Sequence, residues 1–197
     1  MNKEEQILNL MKASDGIITS KEAFKHGINS VFLTRLVKSR KIERVKRGLY
    51  VLQNTWGDEY FNLIYGINAI FSYDTALYFL GLCEDVPSTY HITVNRCYNG
   101  KLNHIDNVKL HFVKKENFEL GKIKIKSPQG QMIFCYNAER CICDLLKDKK
   151  NQDLETIKFA IIEYLRDKKN RNIPKLIEYS KKLHVEKEMN RYLEVLM

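Results

Sequence analysis

The 197-residue chain lacks several things, and each gap excludes a class of protein. No apolar run reaches the roughly 18 residues that a membrane-spanning helix needs. The N-terminus reads Met1-Asn2-Lys3-Glu4-Glu5 and then Ile7-Leu8-Asn9-Leu10-Met11, with acidic residues and no apolar stretch of the kind an export signal carries. A cytoplasmic protein with no membrane partner is therefore expected. Cysteine is present in an odd number, at Cys83, Cys97, Cys135, Cys141 and Cys143, which argues against a disulfide framework. The histidines His26, His91, His104, His111 and His184 show no H-x-x-x-H spacing and no C-x-x-C beside them, so no metal site is expected. Cys141 and Cys143 lie two apart on a segment read as helix, where they point to different faces.

Catalytic signatures are missing as well. A nucleotidyltransferase needs a Gly-Ser turn followed by closely spaced carboxylates for its metal ions, and no Gly-Ser occurs. Neither G-x-x-x-x-G-K-[ST] nor G-x-S-x-G is found, and Lys114-Lys115-Glu116 does not make a nuclease cluster. The expectation is a protein that is not an enzyme and needs no cofactor. Hydrophobic residues make up 44% and charged residues 29%, which places the chain among folded globular proteins rather than disordered ones.

What is present is positive charge, unevenly spread. The net charge is +9. Residues 1–55 hold 11 Lys and Arg against 5 Asp and Glu, so about a quarter of the chain carries two thirds of the excess. Concentration in one segment points to a polyanion partner more strongly than the total does.

That segment reads as a winged helix-turn-helix. Ile7, Leu8, Leu10 and Met11 recur at helical spacing, and Ser14-Asp15-Gly16 ends the first helix. Ile17-Ile18 is extended. Thr19 and Glu22 form a capping-box pair for a second helix from about Ser20 to Lys25, stopping near Gly27. Asn29 or Ser30 caps a third helix, about Val31 to Ser39. Phe32, Leu33, Leu36 and Val37 share one face of it, while Ser30, Val31, Thr34, Arg35 and Lys38 share the other. A recognition helix needs that division, one side buried on its own domain and one side polar for base edges and phosphates. Ile42 to Val45 and Leu49 to Leu52 then read as a hairpin turning at Gly48, with Arg44, Lys46 and Arg47 at its tip. From Ser30 to Arg47 seven basic residues, including Arg40 and Lys41, face one acid, Glu43. The expected DNA-contacting set is Ser30, Thr34, Arg35, Lys38, Arg40, Lys41, Arg44, Lys46 and Arg47. Thr34, Arg35 and Lys38 would lie nearest the bases, with the wing toward phosphates or the minor groove.

Asn54-Thr55-Trp56-Gly57-Asp58 interrupts the pattern, so residues 1–55 and 56–197 are expected to form two domains. The second reads as α+β. Helices are expected over Glu59 to Asn68 and Tyr73 to Leu80. Strands are expected over His91 to Val94, Val108 to Val113, Lys122 to Lys126 (an edge strand, from its Lys-Ile alternation) and Gln131 to Tyr136. A helix over Asn137 to Lys147 and three further helices complete it, with Pro174 early in the second of these three. On the Asn137 helix, Arg140 and Asp144 are four apart, where an ion pair is the simplest outcome, although Glu139, Arg140 and Asp144 also look like a catalytic cluster. Asp74 reads as a first-turn acid.

Residues 1–52 resemble the antitoxin winged-helix domain of the AbiEi family. The matching text is Gly16-Ile17-Ile18-Thr19, Leu36-Val37-Lys38-Ser39, and Ile42 through Tyr50. Two later stretches, Ile70 to Leu82 and Tyr136 to Leu146, are also similar to that family, the second through its E-R-x-x-x-D helix. The resemblance implies the antitoxin of a type IV toxin–antitoxin pair active in phage defence by abortive infection. Such a protein represses its own operon by binding double-stranded DNA at an inverted repeat, and it counters a nucleotidyltransferase-like toxin with or without direct contact. Two rival readings stand beside it. One is a protein-interaction module that sequesters a partner through its C-terminal domain. The other is a nucleic-acid-processing enzyme of diffuse signature.

Overall fold

The computed structural model describes residues 2–53 and 57–196. Residues Asn54, Thr55 and Trp56, at the expected boundary, lie outside the described residues. By contacts the chain divides into two compact units, Met1–Ile67 with Lys126–Ile133, and Asn68–Ile125 with Phe134–Met197. The 55/56 breakpoint thus falls inside the first of them.

In the first unit, α1 (Lys3–Lys12) starts where the Asn2 side chain accepts from the Glu4 amide. Its apolar spacing buries Ile7 and Met11 completely. The chain turns back through Gly16, whose N–H donates to Met11 O at 2.8 Å, into the three-residue strand β1 (Ile17–Thr19). Thr19 caps α2 (Ser20–Lys25), and the Glu22 carboxylate reaches back to both the Thr19 amide and hydroxyl at 2.8 Å, the expected capping box. Asn29 caps α3 (Ser30–Lys38). The hairpin β2 (Ile42–Lys46) and β3 (Leu49–Leu52) follows, with an irregularity between Arg44 and Lys46. Strand order is β1-β3-β2, antiparallel throughout. Three helices, a short strand before the second and a closing hairpin make the winged-helix arrangement. Ile7, Met11, Ile18, Ala23, Ile28, Leu33, Leu36, Ile42 and Tyr50 form its core.

The helix expected over Glu59 to Asn68 is shorter. As α4 it covers Glu59–Ile64, capped by the buried Asp58. It stops because Tyr65 adopts an extended backbone and sends its hydroxyl to the Gly48 carbonyl, 3.1 Å away.

The second unit begins with β4 (Ala69–Phe71), a three-residue strand that its own residue pattern does not mark. Then come α5 (Tyr73–Phe79), β5 (Tyr90–Asn95), β6 (Val108–Val113), the short α6 (Lys115–Phe118), β7 (Lys122–Lys126) and β8 (Met132–Tyr136). Sheet order is β6-β5-β4-β8-β7, which puts the Lys-Ile strand at an edge as its alternation predicts. β4 runs antiparallel to β5 and parallel to β8, and β5 parallel to β6, so the sheet is mixed. Helices α7 (Ala138–Lys147), α8 (Leu154–Arg166), α9 (Ile173–Lys182) and α10 (Glu186–Leu196) complete the unit. The fold class is α+β, a winged helix followed by a mixed sheet with C-terminal helices.

Candidate nucleic-acid interface

The third helix presents the face that its sequence divides off. Leu33 and Leu36 are fully buried, whereas Ser30, Val31, Thr34, Arg35 and Lys38 are exposed. The Thr34 hydroxyl donates to Ser30 O at 3.1 Å, leaving its oxygen able to accept outward. The Arg35 guanidinium lies over the Phe32 ring at 5.5 Å, a contact that steadies its stem without neutralising it.

The end of α3 is strained. Arg40 holds φ +55°, the left-handed position that usually belongs to glycine. Its N–H donates to Val37 O and the Lys41 N–H to Leu36 O, both at 3.0 Å. This closes the helix and leaves the Arg40 and Lys41 side chains exposed just beyond α3.

On the wing, Arg44 and Arg47 are exposed, and Gly48 makes the turn at φ +80°, where a side chain would be strained. None of Arg35, Lys38, Arg40, Lys41, Arg44 and Arg47 forms an ion pair with a described residue; the ion pairs among described residues lie between Lys114 and Glu188. Lys46 differs. It is half-buried, and its ammonium donates to Leu63 O at 3.1 Å.

Val31 belongs to the exposed face of α3, though the charge-led reading left it out of the contact set. It is 51% exposed in the first turn of α3. The signal was an apolar residue among polar ones on that face. Phe24, near the end of α2, is also exposed, at 80%.

The tempting acid–base cluster of the second unit is internal. The Arg140 Nε donates to Asp144 at 2.9 Å, and Nη1 donates to the carbonyls of Asn117 at 2.6 Å and Leu120 at 3.0 Å. Its other face lies 4.4 Å above the Tyr136 ring. Burial pushes the Asp144 carboxyl up and the guanidinium pulls it back, while on Arg140 desolvation is outweighed by Asp144 and Tyr136 acting together, so the guanidinium is held above its ordinary value. Gly121 sits so close that a Cβ there would lie 2.6 Å from Arg140 Cβ. Glu139 accepts from the buried Tyr164 hydroxyl at 3.1 Å. Cys141 and Cys143 are both buried and touch different carbonyls, Tyr136 O and Leu176 O. Asp74 sits in the first turn of α5, as expected, and burial raises its carboxyl.

One arrangement had no sequence signal. His91 Nδ1 and His111 Nε2 are 3.2 Å apart, and Tyr73, at φ +49°, stacks on His111 at 3.8 Å. Their sequence separation hid the pair, because only the parallel register of β5 and β6 brings the rings together. Burial lowers His91 to about 4 and His111 to about 3. Among the described residues no group of three or more His, Cys, Asp or Glu could hold a metal ion, and no helix is long and apolar enough to cross a membrane.

No curated protein matches the sequence. Among solved structures, the RV2827C protein of Mycobacterium tuberculosis is similar in fold, with a TM-score of 0.58, 8% identity, and coverage of 91% of this chain and 71% of that one. Residues 5–53 match the family of AbiEi antitoxin transcriptional regulators, so the family match falls on the winged helix itself.

Proposed function

We propose that the protein is a DNA-binding autorepressor and the antitoxin of a type IV toxin–antitoxin pair. The third helix enters the major groove, with Ser30, Thr34, Arg35 and Lys38 toward the bases and flanking phosphates. Arg40 and Lys41 hold the backbone beyond it, and the wing brings Arg44 and Arg47 to phosphates or the minor groove. Two copies occupy the half-sites of an inverted repeat in the protein's own promoter. The second domain carries protection against a nucleotidyltransferase-like toxin, and no catalytic step is assigned to it.

The observation that carries this reading is the set of exposed basic residues on α3, its end and the wing, outside any ion pair with a described residue, within the segment that matches the regulator family. Such crowding of like charge does nothing for a fold and suits a polyanion.

The test is a titration against the upstream DNA and a scrambled duplex at two salt concentrations. Tight binding that prefers the upstream DNA is expected, with affinity falling by about 0.9 log units per log unit of salt for each phosphate contacted. Equal affinity for both duplexes at every salt concentration would remove the operator reading. In cells, full-length Arg44→Ala with Arg47→Ala is expected to lose repression and keep protection from the toxin. Loss of both together would show that the two activities are not separable in this way.

A further inference from the structure

The Gly48 carbonyl, at the turn of the wing, takes two hydrogen bonds from outside the hairpin. The Ser20 amide at the start of α2 donates at 2.8 Å, and the Tyr65 hydroxyl just after α4 donates at 3.1 Å. Two residues before the turn, the Lys46 ammonium donates to Leu63 O, near the end of α4, at 3.1 Å. Phe61 and Tyr65 also pack on the small cluster of Ile17, Leu49 and Val51 beneath the wing. A two-residue-tipped hairpin is marginal alone, and this one is tied at its turn to a helix that lies outside the winged-helix core.

The other end of α4 is tied as well. Asp58 is 2% exposed. One carboxylate oxygen caps the helix by accepting from the Phe61 amide at 2.8 Å. The other accepts the Ser127 hydroxyl and, at 3.2 Å, the Gln131 amide. Ser127 and Gln131 belong to the turn between β7 and β8, and that turn is counted with the first unit although most of both strands lies in the second. Gln131 also donates from its side chain to Ser14 O at 3.2 Å, beside the end of α1.

We propose that α4 is a strut that sets the wing, with Tyr65 and Lys46 as positioning residues and Asp58 fastening the strut to the 127–131 turn. The proposal rests on the reading of the wing as a DNA contact. It also gives Lys46 a role other than phosphate contact, since its ammonium is engaged at the base of the wing.

Hydrogen exchange of the free, full-length protein tests the strut without DNA. In Tyr65→Phe, which deletes one hydroxyl, the amides of residues 46–50 and of Ser20 are expected to exchange about fivefold faster, the factor for one net hydrogen bond. Amides of α1 and α3 should keep their rates, a pattern that general destabilisation would not give. Lys46→Met, which keeps the stem and loses the ammonium, is expected to loosen the same amides. Ser127→Ala should loosen residues 59–65. Wild-type rates at the wing in both Tyr65→Phe and Lys46→Met would overturn the strut, even with DNA binding intact. If Lys46→Met instead keeps wild-type exchange and lowers the salt slope of DNA binding by about one, Lys46 is a phosphate contact and the assignment falls. If the wild type shows no preference for its upstream DNA, the DNA reading fails, while exchange still decides whether α4 holds the wing.

Discussion

In the first unit Arg35, Arg40, Arg44 and Arg47 stand exposed and outside any ion pair with a described residue, whereas in the second Arg140 is 1% exposed and engages a carboxylate, two carbonyls and an aromatic face. The same residue type does opposite work. A buried guanidinium must have its donors satisfied, so the fold builds a socket around it. An exposed one asks nothing of the fold, and several of them close together repel each other. Substitution should therefore separate the two sets cleanly, with Arg140 acting on folding and the wing arginines on binding. Arg140→Met leaves Asp144 buried without its partner, and stability should fall by about 3–5 kcal/mol. Arg44→Ala or Arg47→Ala should change it by less than about 0.5 kcal/mol. Urea unfolding of the three variants measures the contrast, and Arg140→Met with Asp144→Leu should recover part of the loss. An Arg140 variant as stable as the wing variants would end the comparison.

Titratable groups divide in the same way. His26 of the first unit is exposed, while His91 and His111 of the second are held against each other and beneath Tyr73. Burial is the larger cause of both depressed values. Lys109 lowers each ring further, His91 lowers His111, and Asp148 opposes. The unfolded chain, with imidazoles near 6.5, takes up protons before the folded one. Stability from this pair is fully present above about pH 6.5. It is lost as pH falls toward about 4 for His91 and about 3 for His111. A loss of about 2–4 kcal/mol between pH 7 and pH 5, roughly 2 from each ring, is expected. His111→Phe keeps a ring on Tyr73 and cannot take a proton, so its stability should vary less over that range. Unfolding midpoints at several pH values give the answer, and parallel curves for variant and wild type would remove the pair as the cause.

On the binding side, Arg44→Ala with Arg47→Ala should lower the salt slope by about two and weaken operator and scrambled DNA alike, since phosphate contacts carry no sequence. Val31→Ala should act differently, weakening only sites whose contacted base is thymine. Replacing thymine by uracil in the duplex should reproduce that loss without touching the protein. If uracil makes no difference at any position, Val31 is not read against a methyl group.

What the sequence made legible follows from how local each signal is. The capping box at Thr19 and Glu22, the two-faced α3 and the turn at Gly48 are each decided by residues within one short stretch of chain, and the structure forms all three. The Arg140–Asp144 pair is equally local and forms as spaced. What was missed is tertiary. β4 is three residues long and is a strand only because β5 and β8 flank it. α4 ends early because Tyr65 has a partner 17 residues away. Lys46 looked like its neighbours on the wing, and only the position of Leu63 O sets it apart. The histidine pair depends on the register of two strands, which no spacing within either strand records.

The smallest expected effect is the sharpest comparison, because both units end a helix in the same strained way. Arg40 follows α3 at φ +55° and His184 follows α9 at φ +62°. In each case the next residue closes the turn onto the last helical segment, Lys41 N–H to Leu36 O at 3.0 Å and Val185 N–H to Ser180 O at 2.8 Å. Glycine occupies that backbone position without a Cβ clash, so Arg40→Gly and His184→Gly should each stabilise the protein by about 0.5–1 kcal/mol. Their effects on DNA should differ. His184→Gly should leave operator affinity unchanged. Arg40→Gly should weaken it several-fold and lower the salt slope by about one, if the strain at the end of α3 is kept because the side chain reaches a phosphate. Thermal unfolding and DNA titration of the two variants, run side by side, read both quantities. A more stable Arg40→Gly protein with wild-type affinity would place Arg40 outside the interface and leave its strained backbone without a role in binding.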